Sequence, residues 1–146
     1  MQNDLFHPSG ELSLIDGVVQ LSFLIQGILG RVGAEYDLSI IQVRLLGIVR
    51  DREPGMQQLA QHLKLDKSSI TGLVDRAERR GLVERIPSPN DRRAISVRIT
   101  AEGRRLVETA GAEIEQQVEA ALKHLNEAER SQLTRLAGKV LFDAGD

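Results

Sequence analysis

The most informative segment of the chain is Asn90-Asp91-Arg92-Arg93-Ala94-Ile95-Ser96-Val97-Arg98-Ile99-Thr100. Its first four residues are polar or charged, which is typical of the tip of a hairpin. Ile95, Val97 and Ile99 then alternate with Ser96 and Arg98, and this period of two predicts a strand with one buried and one solvated face. Together with a preceding strand over Leu82 to Ile86, the segment predicts a basic β-hairpin.

Two short helices are predicted before this hairpin. Met56 to Leu63 and Lys67 to Arg80 carry apolar residues at helical spacing, and Lys64-Leu65-Asp66 makes the turn between them. Gly81 follows the second helix at the position where a left-handed residue commonly ends a helix. A helix pair followed by a basic hairpin is typical of the winged helix-turn-helix, an architecture that binds duplex DNA.

Longer helices are predicted on both sides of this unit. One begins near Gly10 to Leu12, and another covers Ser39 to about Arg50 with the serine as its N-cap. After the hairpin, a helix runs from the N-cap Thr100 to about His124, and a last helix begins at Asn126 to Glu129 with a capping box. The predicted order is α-α-α-α-β-β-α-α, a mainly α fold with a small β-hairpin.

The first helix has an unusually broad apolar surface. One stripe recurs at steps of four and three residues: Leu14, Val18, Leu21, Ile25, Ile28 and Val32. Five further apolar residues widen it: Leu12, Ile15, Val19, Leu24 and Leu29. A stripe of this width indicates a helix that is buried on two sides, against an internal core and against a second subunit. The sequence therefore favours a dimer.

The composition excludes several classes of protein. With 146 residues, 41% hydrophobic but only 3% aromatic, the chain can form one compact domain with an aliphatic core. It contains no cysteine, which excludes disulfides, thiolate zinc sites and thiol-based redox sensing. No apolar run approaches the roughly 20 residues of a membrane span, and no signal-peptide pattern is present, so we expect a soluble, cytoplasmic protein with no membrane contact.

The charges are divided unevenly along the sequence. The net charge of the whole chain is −2, which taken alone argues against a nucleic-acid partner. Between Lys67 and Arg105, however, there are ten Lys or Arg and five Asp or Glu, a local net charge of +5. This basic segment coincides with the predicted second helix of the pair and the hairpin, where a positive field would attract phosphates.

The helix over residues 67–80 separates into two faces. Its apolar anchors are Ile70, Leu73, Val74 and Ala77. The candidate DNA contacts on the other face are Lys67, Ser68, Ser69, Thr71, Gly72 and Arg76. Ser and Thr can bind either base edges or phosphates, so these residues do not reveal the recognised base sequence.

The hairpin tip supplies a second set of candidate DNA contacts. Arg92 and Arg93 lie where they could enter a minor groove, whose negative potential attracts arginine when the groove is narrow. Asp91 carries the wrong charge for DNA, but a carboxylate one or two residues from an arginine can hold that side chain in one orientation. We expect Asp91 to orient an arginine rather than to bind DNA.

Other kinds of site fit the sequence less well. The glycines between Gly27 and Gly33 lack both the dinucleotide-binding pattern and the ending of a phosphate loop. His62 and Asp66 lie near Ser68 and Ser69, but no nucleophile elbow or zinc-protease motif accompanies them, so no enzyme is expected. The three histidines match no metal-ligand spacing, and neither a metal nor a cofactor is expected. A winged-helix module that binds another protein through the same surface stays open as the alternative.

The residues from about Leu38 to Leu106 resemble the MarR family of bacterial transcription regulators. Asp91-Arg92-Arg93-Ala94, followed by Ile99-Thr100 and Gly103, is similar to the wing signature of that family. The run from Ser69 to Val83 resembles the family's recognition helix, with Ala77 where a larger Leu is common. Leu59-Ala60 matches the helix before it.

The resemblance implies a homodimeric transcription regulator that binds palindromic operators. In this family the N- and C-terminal helices join the subunits, which assigns residues 1–38 and 101–146 to dimerisation and residues 39–100 to the DNA-binding winged helix-turn-helix. It also implies a repressor that a small ligand releases from double-stranded DNA. Arg93 is implied as the arginine that enters the minor groove, with Asp91 as its partner, while Arg92 occupies a variable position.

The resemblance further implies a cleft for a small effector between the dimer helices and the DNA-binding lobe. Family members often bind aromatic acids or phenols there. By position in the sequence, the candidate ligand contacts are His7, Tyr36, Gln42 and Arg44.

Overall fold

The computed structural model describes residues 12–143, which form six helices and two strands in the predicted order. The elements are α1 (Leu14–Glu35), α2 (Ile40–Val49), α3 (Met56–Leu63), α4 (Lys67–Arg79), β1 (Val83–Pro87), β2 (Ile95–Ile99), α5 (Ala101–Ala121) and α6 (Glu127–Phe142). The two strands form one antiparallel sheet, with Arg85 opposite Val97. The prediction of a mainly helical fold with a small hairpin is confirmed.

Side chains at the helix N-termini explain most of the boundaries. Ser39 accepts from the N–H of Gln42 at 3.3 Å while the Gln42 amide oxygen accepts from the N–H of Ser39 at 2.8 Å, the predicted cap in a reciprocal form. Asn126 and Glu129 form the same arrangement at the start of α6. The first helix begins at Leu14, later than predicted, because Ser13 is its N-cap.

The buried core joins α2, α3, α4 and the hairpin. Its most deeply buried side chains are aliphatic: Leu45, Val49, Leu59, Leu73, Val74, Val83 and Val97. All four predicted anchors of α4 are buried. Because dense aliphatic packing resists displacement, the core holds the exposed face of α4 in a fixed orientation.

The turn from α4 into β1 explains the presence of Thr100 and Gly103 in the wing signature. Gly81 has φ +74°, the left-handed conformation predicted for the residue that ends the helix. Thr100 donates its hydroxyl hydrogen to the carbonyl oxygen of Gly81 and accepts from the N–H of Gly103 at 3.0 Å. A Cβ at Gly103 would overlap the carbonyl oxygen of Leu82, so the start of α5 packs closely against this turn.

The burial of β2 differs from the predicted alternation. Ser96 is 2% exposed and Ile95 is 39% exposed, so the strand buries the serine and leaves the first isoleucine at the surface. The cause is a third backbone segment: Gly55 bridges to Ser96, and the N–H of Val97 donates to the carbonyl oxygen of Pro54 at 2.9 Å. This pairing between residues more than 40 positions apart covers Ser96, and a period-two pattern within one strand cannot predict it.

The apolar character of α1 exceeds what the sequence analysis expected. Among residues 12–143, it is the one helix that is long and apolar enough to cross a membrane by length and composition, with mean hydropathy 1.3 over 18 residues. The expectation that no run approached this scale was wrong. The helix also contains Asp16 and Arg31, and it buries Ile28 and Val32 in the protein interior.

The chain divides into two compact units at Ile114. The described part of the second unit contains the end of α5 and all of α6. Its turn is held by Arg130, which donates to the carbonyl oxygens of Leu122 and Leu125 and pairs with Glu119 at 2.8 Å. The functional assignment of 1–38 with 101–146 to dimerisation, and of 39–100 to DNA binding, stays a prediction.

Candidate nucleic-acid interface

The N-terminal half of α4 is exposed and ordered by its cap. Asp66 accepts the N–H of Ser69 at 2.7 Å and the hydroxyl hydrogen of Ser68 at 3.0 Å. These hydrogen bonds, that to the N–H of Ser69 first, lower the pKa of the Asp66 carboxyl. Thr71 donates its hydroxyl hydrogen to the carbonyl oxygen of Lys67 at 2.8 Å. The predicted contacts at positions 67, 68, 69 and 71 therefore share one solvent-exposed turn of helix.

Arg76 and Gly72 lie one turn further along α4. A Cβ at Gly72 would meet the Nη1 of Arg76 at 3.3 Å, so the guanidinium extends over the glycine. Arg76 is exposed, and Gly72 is half-buried. Gly72 thus leaves space for the Arg76 side chain, and the DNA contact predicted for Gly72 stays a prediction.

The tip of the hairpin is closed by main-chain hydrogen bonds. The Asp91 carboxylate accepts the main-chain N–H of Arg93 at 3.0 Å, and its carbonyl oxygen accepts the N–H of Ala94 at 3.0 Å. Asp91 therefore orders the backbone, whereas the sequence analysis expected it to hold an arginine side chain. Arg92 and Arg93 are both exposed, and within residues 12–143 neither guanidinium forms an ion pair.

A groove of about 620 Å³ separates α4 from the hairpin. It is lined by Met56, Gln57, Ala60, Lys67, Ile70, Thr71, Arg85 and Ile95. The groove is thus bounded by α3, by α4 and by Arg85 and Ile95 of the hairpin, whose tip carries the exposed Arg92 and Arg93. Lys67 gives this groove a positive charge, which would attract an anionic partner, whereas the charge of Arg85 is matched by Asp75 and Glu78.

Arg85 connects β1 to α4, a contact that the sequence analysis missed. Its Nη2 lies 2.7 Å from Oδ1 of Asp75, and its Nη1 donates to Oε1 of Glu78. The two acceptors are three residues apart on α4 and so project from the same side of the helix. The spacing of Asp75 and Glu78 is visible in the sequence, but their contact with Arg85 of β1 depends on the tertiary fold.

A second cleft lies at the other end of α4 and has a volume of about 320 Å³. It is lined by Tyr36, Arg80, Leu82, Glu102, Arg105, Leu106 and Thr109. Arg80 donates from Nη1 to the carbonyl oxygen of Asp37 at 2.8 Å and from Nη2 to that of Tyr36 at 3.0 Å. The arginine after the last residue of α4 is thereby tied to the end of α1.

Carboxylates surround the Tyr36 side of this cleft. The Tyr36 hydroxyl donates to Oε1 of Glu113 at 3.3 Å. Desolvation, followed by the negative charge of Glu113, raises the pKa of Tyr36. A hydrogen bond with Glu113 is also the main cause that raises the pKa of Glu35. The cleft therefore combines Arg80, Arg105 and Glu102 with the Tyr36 phenol, whose hydroxyl contacts Glu113.

The predicted ligand contacts do not come together in this cleft. Tyr36 lines it, but Gln42 caps α2 with its side-chain amide, and Arg44 is exposed on α2 outside the lining. His7 lies outside the described residues. The cleft instead gains Arg80 and Arg105, which the sequence analysis did not select because they are distant from Tyr36 along the chain.

Comparison with known proteins identifies relatives of this chain. A sequence model of the MarR family matches residues 36–94. The chain is 28% identical over 131 residues to the HTH-type transcriptional regulator PecS of Dickeya dadantii, covering 87% of this chain and 79% of that protein. It is 32% identical over 105 residues to the HTH-type transcriptional repressor NicR of Pseudomonas putida, covering 71% and 66% respectively.

Solved structures share the fold over nearly the whole chain. The crystal structure of apo MarR from Escherichia coli has a TM-score of 0.75 at 25% identity, covering 91% of this chain and 99% of that one. NadR in complex with 4-hydroxyphenylacetate has a TM-score of 0.76 at 24% identity, covering 96% and 97%. The two exposed surfaces flanking the groove therefore belong to a winged helix-turn-helix shared with transcription regulators, and the chain is a member of the MarR family.

Proposed function

We propose that this chain is a homodimeric repressor that binds a palindromic operator and is released by a small aromatic acid or phenol. The observation that carries the proposal is the groove between α4 and the hairpin, because Lys67 and Thr71 of α4 and Ile95 of the hairpin line it, and the exposed Arg92 and Arg93 lie at the tip of the same hairpin. A duplex that receives α4 in its major groove would meet the hairpin at the adjacent minor groove.

The charge distribution supports DNA rather than a protein as the partner. Of the excess of five positive charges between Lys67 and Arg105, three lie on α4 and the hairpin. Binding through several phosphates releases counterions, so affinity falls steeply with salt. Binding of another protein through apolar contacts would respond little to salt, and this difference separates the proposal from the protein-interaction alternative.

The dimer is proposed from apolar surface that the single chain leaves exposed. On α1 the exposed fractions are 80% for Leu14, 70% for Ile15, 60% for Val18 and 62% for Phe23. On α6, Val140, Leu141 and Phe142 are at least 69% exposed. Apolar surface of this extent marks an interaction site. A second copy of the chain, rather than a membrane, is the partner we propose for it in a cytoplasmic regulator.

The effector is proposed for the cleft at Tyr36. Its two arginines suit a carboxylate, and Leu82 and Leu106 suit an aromatic ring. NadR, which has the same fold, was crystallised with 4-hydroxyphenylacetate. The proposal for this chain therefore names a class of compound, small aromatic acids and phenols, and no individual ligand.

The proposed function is tested by nuclease protection on the DNA that flanks the gene for this chain. We expect one protected palindrome whose half-sites are about one helical turn apart, as a symmetric dimer requires. Adding aromatic acids or phenols at millimolar concentration should remove the protection. Uniform cleavage across the fragment, with the protein shown to be folded, would contradict sequence-specific binding.

A further inference from the structure

Arg85 is the residue of β1 that binds two carboxylates of α4 at once. Its Nη2 lies 2.7 Å from Oδ1 of Asp75, its Nη1 donates to Oε1 of Glu78, and its main-chain N–H donates to Oε2 of Glu78 at 3.4 Å. The Arg85 side chain is 25% exposed, compared with 45% for Asp75. A planar guanidinium that uses two nitrogens in this way fixes direction as well as charge.

The position of Arg85 makes this contact relevant to the hairpin tip. Arg85 pairs with Val97 in the ladder, and the last pair toward the tip is Pro87 with Ile95. The arginines at 92 and 93 lie beyond that pair, on the part of the hairpin that projects past the sheet. A change of angle at the base of the hairpin therefore becomes a larger displacement at the tip.

Different contacts hold the two strands of the hairpin. β2 is joined to residues 54 and 55 through the Gly55–Ser96 bridge and the N–H of Val97. β1 is joined to α4 through the two ion pairs of Arg85. The hairpin has one further ion pair, Arg98 with Glu84 at 3.5 Å, and it lies within the hairpin itself with both side chains 46% exposed.

On this geometry, and resting on the proposed DNA-binding function, we infer that Arg85 is a positioning residue for the hairpin. It sets the angle between the hairpin and α4, so that Arg93 reaches a minor groove while α4 occupies the neighbouring major groove. It acts through Asp75 and Glu78 and needs no contact with DNA. The same pairing cancels negative charge on α4, which phosphates would otherwise repel.

The substitution Arg85→Lys distinguishes a positioning role of Arg85 from a contribution of its positive charge alone. Lysine keeps the positive charge, but its ammonium is a single point that cannot present two parallel donors to carboxylates one helical turn apart. If Arg85 contributed only charge, Arg85→Lys would retain operator affinity. If it positions the hairpin, Arg85→Lys should reduce affinity about fivefold or more. Arg98→Lys makes the same chemical change on the same hairpin and serves as the matched control.

The decisive experiment is a double-substitution cycle with Arg93→Ala, using a duplex selected from a random library by the wild-type dimer. We expect Arg93→Ala to weaken binding about tenfold in the wild-type and Arg98→Lys backgrounds. In the Arg85→Lys background the loss should shrink to less than about threefold, because the tip no longer reaches its groove. Equal losses in all three backgrounds would overturn the inference.

Thermal melting of each variant shows whether it is folded. If Arg85→Lys fails to fold, Asp75→Asn takes its place in the cycle, because it removes the 2.7 Å ion pair between Asp75 and Arg85. The same two outcomes then decide the inference.

Amide hydrogen exchange of the free protein distinguishes failure of the inference from failure of the proposed function. If the wild type selects no duplex, the proposed function fails, and exchange decides the structural claim. Faster exchange at residues 83–87 and 95–99 in Arg85→Lys, with Arg98→Lys unchanged, would retain Arg85 as the contact that orders the hairpin. Unchanged exchange in both variants would overturn that role as well.

Discussion

The main-chain N–H of Arg93 donates to the carboxylate of Asp91 at 3.0 Å. The acid and the arginine of the wing signature are therefore joined through the backbone, and the Arg93 guanidinium extends from a turn whose shape Asp91 fixes. This arrangement requires an acceptor oxygen at position 91, but it does not require a negative charge there. This relationship leads to a direct comparison of two substitutions.

Asp91→Asn retains an oxygen that accepts the N–H of Arg93, whereas Asp91→Ala removes it. We expect Asp91→Asn to bind operator DNA within about twofold of the wild type, and Asp91→Ala to bind about fivefold more weakly, the equivalent of one net hydrogen bond of about 1 kcal/mol. Fluorescence anisotropy with one labelled duplex measures both. Equal losses in the two variants would show that the charge, rather than the turn, is what matters.

Gly103→Ala should destabilise the fold because the new Cβ would overlap the carbonyl oxygen of Leu82. Insertion of a methyl group where main chain must move costs about 1–3 kcal/mol or more. The control is Gly47→Ala, since nothing lies within 4 Å of a Cβ at that helical position. It should stabilise the protein by about 0.5–1 kcal/mol. Urea unfolding measures both, and similar free energies for the two variants would contradict the packing described for α5.

The N-cap of α4 should make stability depend on pH. The pKa of Asp66 is lowered chiefly by the N–H of Ser69, so its contribution is present above the unfolded pKa and is lost as pH falls through the folded pKa. Asp66→Asn keeps a capping oxygen that does not titrate. The stability advantage of the wild type over Asp66→Asn should therefore be constant above about pH 5 and shrink as the pH falls from there through the folded pKa. Urea titrations at each pH measure it, and a difference that stays constant at low pH would contradict the assigned role.

Charge on the exposed face of α1 should prevent assembly. Val18 is 60% exposed in the single chain, and Val18→Glu would place a carboxylate in the proposed subunit interface. We expect the variant to sediment as a monomer at micromolar concentration. Gln61→Glu, on the exposed side of α3, introduces the same charge and should remain dimeric. If both variants and the wild type sediment alike, α1 is not the interface.

Local patterns predicted the parts of the fold that depend on neighbours in the sequence. The caps at Ser39 and Asn126, and the left-handed residue Gly81, need only a few adjacent residues and were found in the sequence. The four anchors of α4 were predicted because a helix in contact with a core repeats its apolar residues. The exposed arginines of the tip followed from the turn residues beside them.

Contacts between distant residues were the ones that the sequence did not predict. Ser96 is buried because Gly55 pairs with it, and Arg85 binds Asp75 because β1 packs beside α4. Tyr36 was predicted as a ligand contact, but Arg80 and Arg105 join it in one cleft only through the tertiary fold. The same limit applies to Asp91, for which the sequence indicated proximity to an arginine without showing that the main chain is its partner.

The central claim is that the exposed face of α4 and the hairpin tip bind one operator together. It is tested most directly by anisotropy titrations of operator and scrambled duplexes at several salt concentrations, with wild type, Arg93→Ala and Arg92→Ala. We predict that the wild type prefers the operator by at least about 1,000-fold and loses affinity steeply with salt. Arg93→Ala should weaken operator binding about tenfold, and Arg92→Ala should weaken it less. Equal affinity for scrambled DNA, or affinity that is independent of salt and of Arg93, would contradict the claim.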